Sequence, residues 1–279
     1  MSVPALPTVS VQFWGVRGSV PCPGPDTVRY GGNTPCVEVR CGEHVIVFDA
    51  GTGLRGLGNA LLQRTRHVDL DIFLSHCHLD HLQGLPFFGP AFVGGRVRLW
   101  AGNLGPAYRL EEVVRRIVGP PLFPIAVETF KAEIEYHDFA AGEVLEPRAG
   151  VVLRTAPLDH PDGATGYRLE YAGRALAYLT DTESRSEAHD DNIVSLARDA
   201  DLVIFDCTYG EREIASHFGW GHSTLQQGLR LAERAGARRF CAFHHDPSRN
   251  DAALDRMAAE AAAASPHATI AREGLVLDL

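Results

Sequence analysis

The stretch Ser75–Gly84, with the sequence SHCHLDHLQG, places four side chains that can bind metal within six residues. It directly follows the apolar run 69–74, which predicts a short buried β-strand that ends at the first histidine. His76 and His78 point to the same side of an extended chain, because side chains alternate with a period of two. Asp80 and His81 lie just beyond this pair and point elsewhere, which suits a second ion next to the first.

The types of ligand narrow the choice of metal. Imidazole and carboxylate groups together suit zinc, iron or manganese, and the softness of the ligands does not choose among the three. Two histidines in a loop are weak evidence by themselves, but the pattern HxHxDH directly after an apolar strand is specific. The sequence therefore predicts a site for divalent metal ions, with zinc as the first expectation and manganese or iron as alternatives.

Length and cysteine usage favour a single cytoplasmic domain. A chain of 279 residues can bury a sizeable core, so we expect one domain over residues 1–279. Residues 1–7 lack the basic stretch and apolar run of an export signal, and no apolar run reaches membrane-spanning length. The six cysteines are scattered without a paired framework, which favours a cytoplasmic protein with reduced thiols.

The charge balance disfavours long nucleic acid as a partner. The net charge is −9 at pH 7, and Lys131 is the only lysine. No basic run with interleaved aromatic residues is present, so the chain lacks the usual means of binding a long phosphate backbone. A small anionic substrate, held by a few arginines and metal ions, is compatible with this composition.

The hydrophobic patterns predict a mixed α and β chain in which β-rich segments alternate with helices. Strands are predicted at residues 9–13, 36–40, 44–48, 69–74, 97–101, 133–137, 151–155, 166–171, 174–179, 201–206, 239–243 and 274–279. Helices are predicted at residues 54–63, 109–118, 190–198, 224–235 and 250–264. No short internal repeat or low-complexity linker divides the sequence.

Further candidate residues lie directly after predicted strands. Arg17 follows the first strand in a turn, where it either contacts a substrate phosphate or forms local salt bridges. Asp49 ends the strand 44–48 and is placed to cap the next helix. Asp181 lies just past a buried strand, from where a carboxylate can bridge two cations, although turn capping is the alternative.

The second half of the chain adds more titratable groups. Asp206 ends a buried strand, and His222 lies in the segment GWGHST, where the alternative is an exposed residue before a helix. His244 and His245 follow the last core strand, and neighbours on an extended chain point in different directions. His160, one histidine between a strand and a proline, is weak evidence by itself.

In their order along the chain, these motifs resemble the metallo-β-lactamase superfamily of binuclear metal hydrolases. The resemblance covers roughly residues 10 to 275. It implies an α+β fold, the αββα sandwich, in which two packed mixed β-sheets carry helices on their outer faces. It also implies that Asp49 orients the metal loop through hydrogen bonds without binding metal. The implied ligands are His76, His78 and His160 for one ion, Asp80, His81 and His244 for a second, and Asp181 as the bridge.

Related segments favour His244 over His245 as the seventh ligand. The pair formed by Asp206 and His222 resembles ribonuclease Z and its phosphodiesterase relatives more than the lactamases. In those enzymes an acidic residue, usually glutamate in ribonuclease Z, orients a histidine in a Gly-His-Ser-Thr segment. The resemblance implies a small phosphodiester substrate, such as a cyclic nucleotide, attacked by a hydroxide that bridges the two ions. Asp80 would orient this hydroxide, and His222 would protonate the leaving oxygen or stabilise its charge.

Other functions stay open at this point. A ribonuclease Z-like endonuclease that processes RNA fits the motifs, but no inserted basic arm for such a substrate is obvious. A lactonase or thioesterase keeps the metals but has no need of Asp206 and His222. A di-iron redox or sensor protein usually carries a flavin partner domain, which this sequence lacks. The apolar stretch 119–124 walls a substrate cleft, forms a subunit contact in a homodimer, or packs on its own domain.

Overall fold

The computed structural model describes residues 9–279, so the prediction about an export signal at residues 1–7 lies outside the described residues. The strands are β1 (Val9–Gly15), β2 (Cys36–Cys41), β3 (His44–Phe48), β4 (Val68–Leu74), β5 (Gly95–Ala101), β6 (Glu133–Asp138), β7 (Val144–Arg148), β8 (Val151–Leu158), β9 (Ala164–Tyr171), β10 (Arg174–Leu179), β11 (Leu202–Asp206), β12 (Phe240–Phe243), β13 (Ala268–Ile270) and β14 (Val276–Asp278). The helices are α1 (Gly53–Arg64), α2 (Leu110–Ile117), α3 (Glu187–Ala197), α4 (Leu225–Arg234) and α5 (Asp251–Ala264).

The strands form two mixed β-sheets of seven strands each. The first sheet has the order β14-β1-β2-β3-β4-β5-β6, and the second has the order β13-β12-β11-β10-β9-β8-β7. Both sheets are divided in the same way. Strands β3 to β6 and strands β10 to β13 run parallel within their sheets, whereas the remaining neighbours pair antiparallel.

The register of the parallel strands brings polar residues together at one edge of each sheet. In the first sheet Phe48 pairs with Phe73, so the chain leaves β3 and β4 at nearly the same level. In the second sheet Asp206 pairs with Phe243, so β11 and β12 also end level with each other. Because the carboxyl ends of parallel strands share an edge, the loops that follow them meet there.

Apolar side chains fill three layers. The layer between the sheets is rich in aromatic rings, and the Phe48 ring stacks on Tyr178 with 4.9 Å between centroids. A second layer lies between the first sheet and helices α1 and α2, where Leu57 and Val114 are buried. A third lies between the second sheet and helices α3 to α5, where Ile193 is buried. Helices therefore cover both outer faces, which confirms the predicted αββα sandwich.

Two strands, β7 and β13, were absent from the sequence prediction. They form the two opposite edges of the second sheet, and β7 contains Pro147. Within residues 9–279, no helix is both long and apolar enough to cross a lipid bilayer. No disulfide joins the six cysteines, all of which lie in this part of the chain. That residues 1–279 form one domain stays a prediction.

The apolar stretch 119–124 has both buried and exposed members. Phe123 packs edge-on against Phe87 with 5.4 Å between ring centroids, whereas Leu122 is 72 % exposed. Part of the stretch thus packs on its own chain, and the proposed subunit contact in a homodimer stays a prediction.

Candidate metal centre

The loops at the carboxyl ends of the strands of both sheets meet at one site. The first sheet contributes the loop after β4, and the second contributes the segments after β8, β10 and β12. All seven residues predicted as ligands lie there. Six of them are buried, and only the His78 side chain, 40 % exposed, reaches solvent to a large extent. Titratable groups collected at a buried site are typical of a functional centre.

One group of side chains surrounds the Oδ1 atom of Asp181. The Nε2 atoms of His76 and His160 lie 3.9 Å and 3.7 Å from this oxygen. His78 joins them, since its Nδ1 atom lies 3.1 Å from the His160 Nε2 atom. Two ring nitrogens that face each other at this distance suit two ligands of one cation.

A second group surrounds the other oxygen of Asp181. Its Oδ2 atom lies 3.4 Å from His81 Nε2 and 3.3 Å from His244 Nε2. The Oδ2 atom of Asp80 completes the group at 3.2 Å from His81 Nε2 and 3.5 Å from His244 Nε2. His245 faces away, because its fully buried ring places Nε2 2.8 Å from the carbonyl oxygen of Ala271.

Unpaired ring nitrogens show that these residues fit a metal. The Nε2 atoms of His76, His81 and His244 are buried and have no hydrogen-bond partner among the described residues. Buried polar atoms are otherwise almost always paired, so three such nitrogens around carboxylates indicate a missing positive partner. The imidazole and carboxylate donors, which lie within 4.8 Å of one another in groups of three or four, suit a divalent metal such as zinc.

Asp49 and Ser75 orient the histidines on the side of the first sheet. Asp49 accepts hydrogen bonds from the backbone N–H and hydroxyl of Ser75 and from the hydroxyl of Tyr178, at 2.7–3.0 Å. Its Oδ2 atom also lies 2.8 Å from His81 Nδ1. The Ser75 hydroxyl lies 3.1 Å from His76 Nδ1. These contacts leave the Nε2 atoms of both histidines to face Asp181, as expected for supported ligands.

Asp206 and Thr208 orient histidines in the same way on the side of the second sheet. Asp206 accepts the hydroxyl hydrogen of Thr208 at 2.9 Å and the backbone N–H of Asp181 at 3.1 Å. The Thr208 hydroxyl also lies 3.0 Å from His244 Nδ1. His222 Nδ1 lies 2.7 Å from Asp206 Oδ2, so the shorter arm of aspartate reaches this histidine.

The charge of Asp206 changes the protonation of His222. Burial lowers the pKa of the His222 ring, but the negative charges of Asp206, Asp181 and Asp80 outweigh burial and raise the pKa to about 9. The raised pKa favours the ring form with a proton on each nitrogen. Its Nε2 atom has no hydrogen-bond partner among the described residues and is the end of the ring that can donate to a substrate.

The backbone at the site adopts an uncommon conformation. Asp49, Asp181 and His244 all have positive φ angles of 57–62°, which residues other than glycine adopt rarely. Each residue directly follows a strand or lies two positions beyond one. Positive φ values at such residues concentrate at functional sites, where surrounding contacts hold them.

Several supporting residues were not identified from the sequence. Glu183 is buried and accepts the backbone N–H groups of Gly219 and Gly221 at 2.9–3.0 Å. The Gly221 carbonyl in turn accepts the His160 Nδ1 hydrogen at 2.8 Å, which leaves His160 Nε2 facing Asp181. Any side chain at Gly221 would collide with the His160 ring. No local sequence signal announces such contacts, because they join loops that are distant in the chain.

The position of Arg17 contradicts the prediction that it binds a substrate phosphate. Its side chain is fully buried and donates to the backbone carbonyls of Gly31, Asp246 and Arg249. A guanidinium enclosed by its own chain is not available to a substrate phosphate. We therefore assign it the local structural role, although through carbonyl groups and not through the salt bridges that were the alternative.

The neighbour of Arg17 contacts the candidate centre directly. The backbone N–H of Ser19 donates to Asp80 Oδ2 at 2.8 Å. Gly18 lies against the ring of His244, where a Cβ atom would collide with it. The turn after β1 thus holds two of the predicted ligands.

The chain matches known proteins over most of its length. Residues 44–245 match the family described as "Beta-lactamase superfamily domain". A ribonuclease Z from Acaryochloris marina is 33 % identical over 137 residues, which are 46 % of this chain and 42 % of that protein. A ribonuclease Z from Halobacterium salinarum is 26 % identical over 98 % of each chain.

Solved structures share the fold at lower identity. A diphosphatase from the PhnP family has a TM-score of 0.70 and 21 % identity, over 97 % of this chain and 98 % of that chain. The short form of human tRNase Z has a TM-score of 0.68 and 20 % identity, over 96 % and 98 %. Zinc-bound PqqB from Methylobacterium extorquens has a TM-score of 0.71 and 18 % identity, over 97 % and 100 %.

Proposed function

The chain belongs to the metallo-β-lactamase superfamily, near its ribonuclease Z branch, and we propose that this hydrolase is a binuclear phosphodiesterase for a small phosphodiester such as a cyclic nucleotide. The observation that carries the proposal is the His222–Asp206 pair beside the candidate metal centre, with 2.7 Å between the ring nitrogen and the carboxylate oxygen. Hydrolysis of a phosphodiester with a poor leaving group needs a proton donor at the leaving oxygen. Thioesters need one less, because a thiolate departs readily without a proton.

The two oxygens of Asp181 support the proposal of two ions. One oxygen faces His76 and His160, and the other faces His81 and His244. We therefore propose His76, His78 and His160 as the ligands of one ion, Asp80, His81 and His244 as those of the other, and Asp181 as the shared ligand. Zinc is the first choice, and manganese and iron are the alternatives.

When bound, two such ions activate a water molecule for attack and offset the negative charge of the phosphate. The residues of this chain supply the remaining functions. Asp80, held by the Ser19 N–H, accepts a hydrogen from the attacking water and orients it. His222 donates the Nε2 proton to the leaving oxygen, and Asp206 stabilises the charged ring before that transfer. Because the acidic groups near His222 raise its pKa, the protonated ring is favoured.

A ribonuclease Z-like endonuclease is the second candidate, and its support is the ribonuclease Z name of relatives that align along the full chain. Both candidates cleave phosphodiesters with the same groups, so they differ in the size of the substrate. The net charge of −9 favours the small substrate, since a long RNA needs many cationic contacts. The cytoplasmic location expected from the scattered cysteines stays a prediction.

The role of His222 can be tested with two esters that differ in their leaving group. We expect His222→Ala to slow hydrolysis of a nucleoside alkoxide ester by about 10²–10⁴-fold, the usual contribution of a general acid. On bis(p-nitrophenyl) phosphate the loss should be much smaller, because the phenolate leaves without a proton. The measurement is kcat/KM for both esters, with the metal content of each protein determined by elemental analysis.

The metal analysis serves as the control, because His222 is proposed not to bind metal. Close to two transition-metal equivalents should be present in both proteins. Equal losses on the two esters would replace the acid role with substrate positioning or charge stabilisation. Unchanged rates on both esters would remove His222 from the site and with it the main support for a phosphodiesterase. A protein that takes up no metal after reconstitution would contradict the centre itself.

A further inference from the structure

A cavity of about 530 Å³ opens beside the first group of histidines. His76 and His78 form part of its wall, so the cavity is continuous with the candidate metal centre. Its volume lies in the range of about 300–1,000 Å³ that is typical of small-molecule sites. The mechanism proposed above does not use this space.

The lining of the cavity combines an apolar floor with an aromatic ring. Cys77, Leu104, Val113 and Ile117 line it and pack against the apolar layer beneath the first sheet. Tyr108 also lines the cavity and is 50 % exposed, so part of its ring is accessible to a ligand. Such a surface fits a flat apolar group better than a sugar or a peptide, which need more polar partners.

Besides the histidines and Tyr108, three polar side chains line the cavity: Asn103, Arg116 and the exposed Asp162. The guanidinium carbon of Arg116 lies 5.9 Å from the centroid of the Tyr108 ring, a distance that allows a cation–π interaction. The positive charge of Arg116 also attracts an anionic substrate. Asn103 donates to the Gly163 carbonyl at 3.2 Å, while its side-chain oxygen is buried without a partner in the described structure. This oxygen is enclosed by the protein, so Arg116, and not Asn103, is the group that offers a polar contact to an anionic ligand.

The position of the cavity indicates which part of a substrate it receives. His222 does not line it, and the His222 ring lies beside His160 and His244 instead. The leaving group of a phosphodiester must point toward His222 under the proposed mechanism. The cavity, on the side of His76 and His78, is therefore available to the other substituent, which stays attached to phosphorus.

We propose that this cavity is a subsite for an aromatic ring, a nucleobase in biological substrates, on the retained substituent of the phosphodiester. This inference rests on the proposed function and names its substrate class. Tyr108 stacks on the ring, and Arg116 supports Tyr108 and attracts the phosphate. The substrate is then a nucleoside phosphodiester and not a simple alkyl diester.

Two esters with the same leaving group test the subsite. The p-nitrophenyl ester of thymidine monophosphate carries a base on the retained side, and methyl p-nitrophenyl phosphate does not. Stacking of a base on an aromatic side chain corresponds to about 5- to 150-fold in binding. We expect the metal-loaded wild type to favour the thymidine ester by a factor in this range, mainly through KM. Tyr108→Ala should abolish the preference, and Tyr108→Phe should retain it.

A neighbouring pair of arginines supplies the matched control. Arg116→Gln should reduce the preference, whereas Arg115→Gln should leave it unchanged, because Arg115 pairs with Glu111 and Glu128 outside the cavity. Taking the ratio of the two esters cancels the general loss of positive charge. Ala107→Trp, at an exposed position of the lining, should block the thymidine ester selectively.

Direct binding keeps the subsite and the reaction apart. Calorimetry should show the same preference for thymidine monophosphate over methyl phosphate in the wild type and its loss in Tyr108→Ala. Hydrolysis of both esters without preference, or a preference that survives Tyr108→Ala, overturns the subsite and leaves the phosphodiesterase standing. Hydrolysis of neither ester overturns the proposed function, and the binding ratio then still decides whether the cavity takes a base.

Discussion

The two sheets support the candidate centre with the same kind of pair but to different ends. On the first sheet Asp49 and Ser75 hold ring nitrogens of His76 and His81, and every donor around Asp49 is either part of the fold or on a predicted ligand. On the second sheet a pair of aspartate and threonine holds His244 in the same manner. Only the second carboxylate also contacts a histidine outside the predicted ligand set.

This difference separates holding a metal from moving a proton. Asp49 accepts hydrogen bonds from the hydroxyls of Ser75 and Tyr178 and contacts the ring of a predicted ligand, so it fixes the orientation of its neighbours. Asp206 does the same and also raises the pKa of His222, a histidine outside the predicted ligand set. Under the proposed mechanism the first sheet thus forms a scaffold, whereas the second sheet contributes a scaffold and an acid.

The largest loss of activity is expected from a change at Asp181, the carboxylate that both groups of histidines face. Asp181→Ala removes the carboxylate whose two oxygens face the two groups of histidines. Because bound metal ions contribute several kcal/mol to such reactions, we expect kcat/KM to fall by about 10³-fold or more. Elemental analysis should show loss of both metals. Asp162→Ala, which removes a 91 % exposed carboxylate near His78, should keep them.

The second prediction tests which histidine of an adjacent pair belongs to the centre. His244→Ala should lose one metal and reduce the rate by about 10²-fold or more, because His244 Nε2 faces two carboxylates. His245→Ala should retain both metals. It should instead lower the free energy of unfolding by about 3 kcal/mol, because it removes a fully buried ring. The opposite pattern of metal content would exchange the two assignments.

The third prediction compares the supporting aspartates directly. Asp49→Asn should weaken metal binding by about 10–100-fold, the usual cost of losing a supporting partner, and leave the shape of the pH profile unchanged. Asp206→Asn should lower the pKa of His222, which Asp206 now holds at about 9. The alkaline limb of kcat/KM should then move to lower pH, since the acid loses its proton earlier. Identical pH profiles in the two variants would erase the proposed difference between the sides.

The smallest effect concerns stability in acid. Burial lowers the pKa of His245 from 6.5 to about 3. The unfolded chain therefore takes up a proton below about pH 6.5 that the folded ring refuses until about pH 3. This single group should cost about 2 kcal/mol of unfolding free energy between pH 7 and pH 5. Denaturant titrations should show that the free energy of unfolding falls more between pH 7 and pH 5 in the wild type than in His245→Asn. An equal fall in both proteins would contradict the role of His245.

The sequence predicted most of the fold because the strands carry strong signals. Buried strands such as β3 and β11 are nearly continuous apolar runs that lead directly into polar residues. Strand β7 was missed because it contains Pro147 and alternates weakly, as edge strands do. Strand β13 has three residues, too few for any period to show.

The site could be predicted only as far as its residues follow strands or share a motif. The seven predicted ligands lie together, whereas Arg17 turned inward, because a sequence does not reveal which carbonyls surround a guanidinium. Glu183, Ser75 and Thr208 were also missed as supporting residues. Their roles depend on distances between loops, and serine, threonine and glutamate are too common in loops for their type to indicate such contacts.

The buried guanidinium of Arg17 has a consequence for the folding of the chain during its synthesis on the ribosome. Its contacts to Asp246 and Arg249 join positions that are 229 and 232 residues apart. Chains are synthesised from the N-terminus at about 5–20 residues per second. The turn that contains Arg17 and holds Asp80 is therefore synthesised many seconds before Asp246 and Arg249, which it contacts. Early domains of long chains often work before synthesis ends. Here the turn around Arg17 can form all its contacts only after residue 249 has left the exit tunnel.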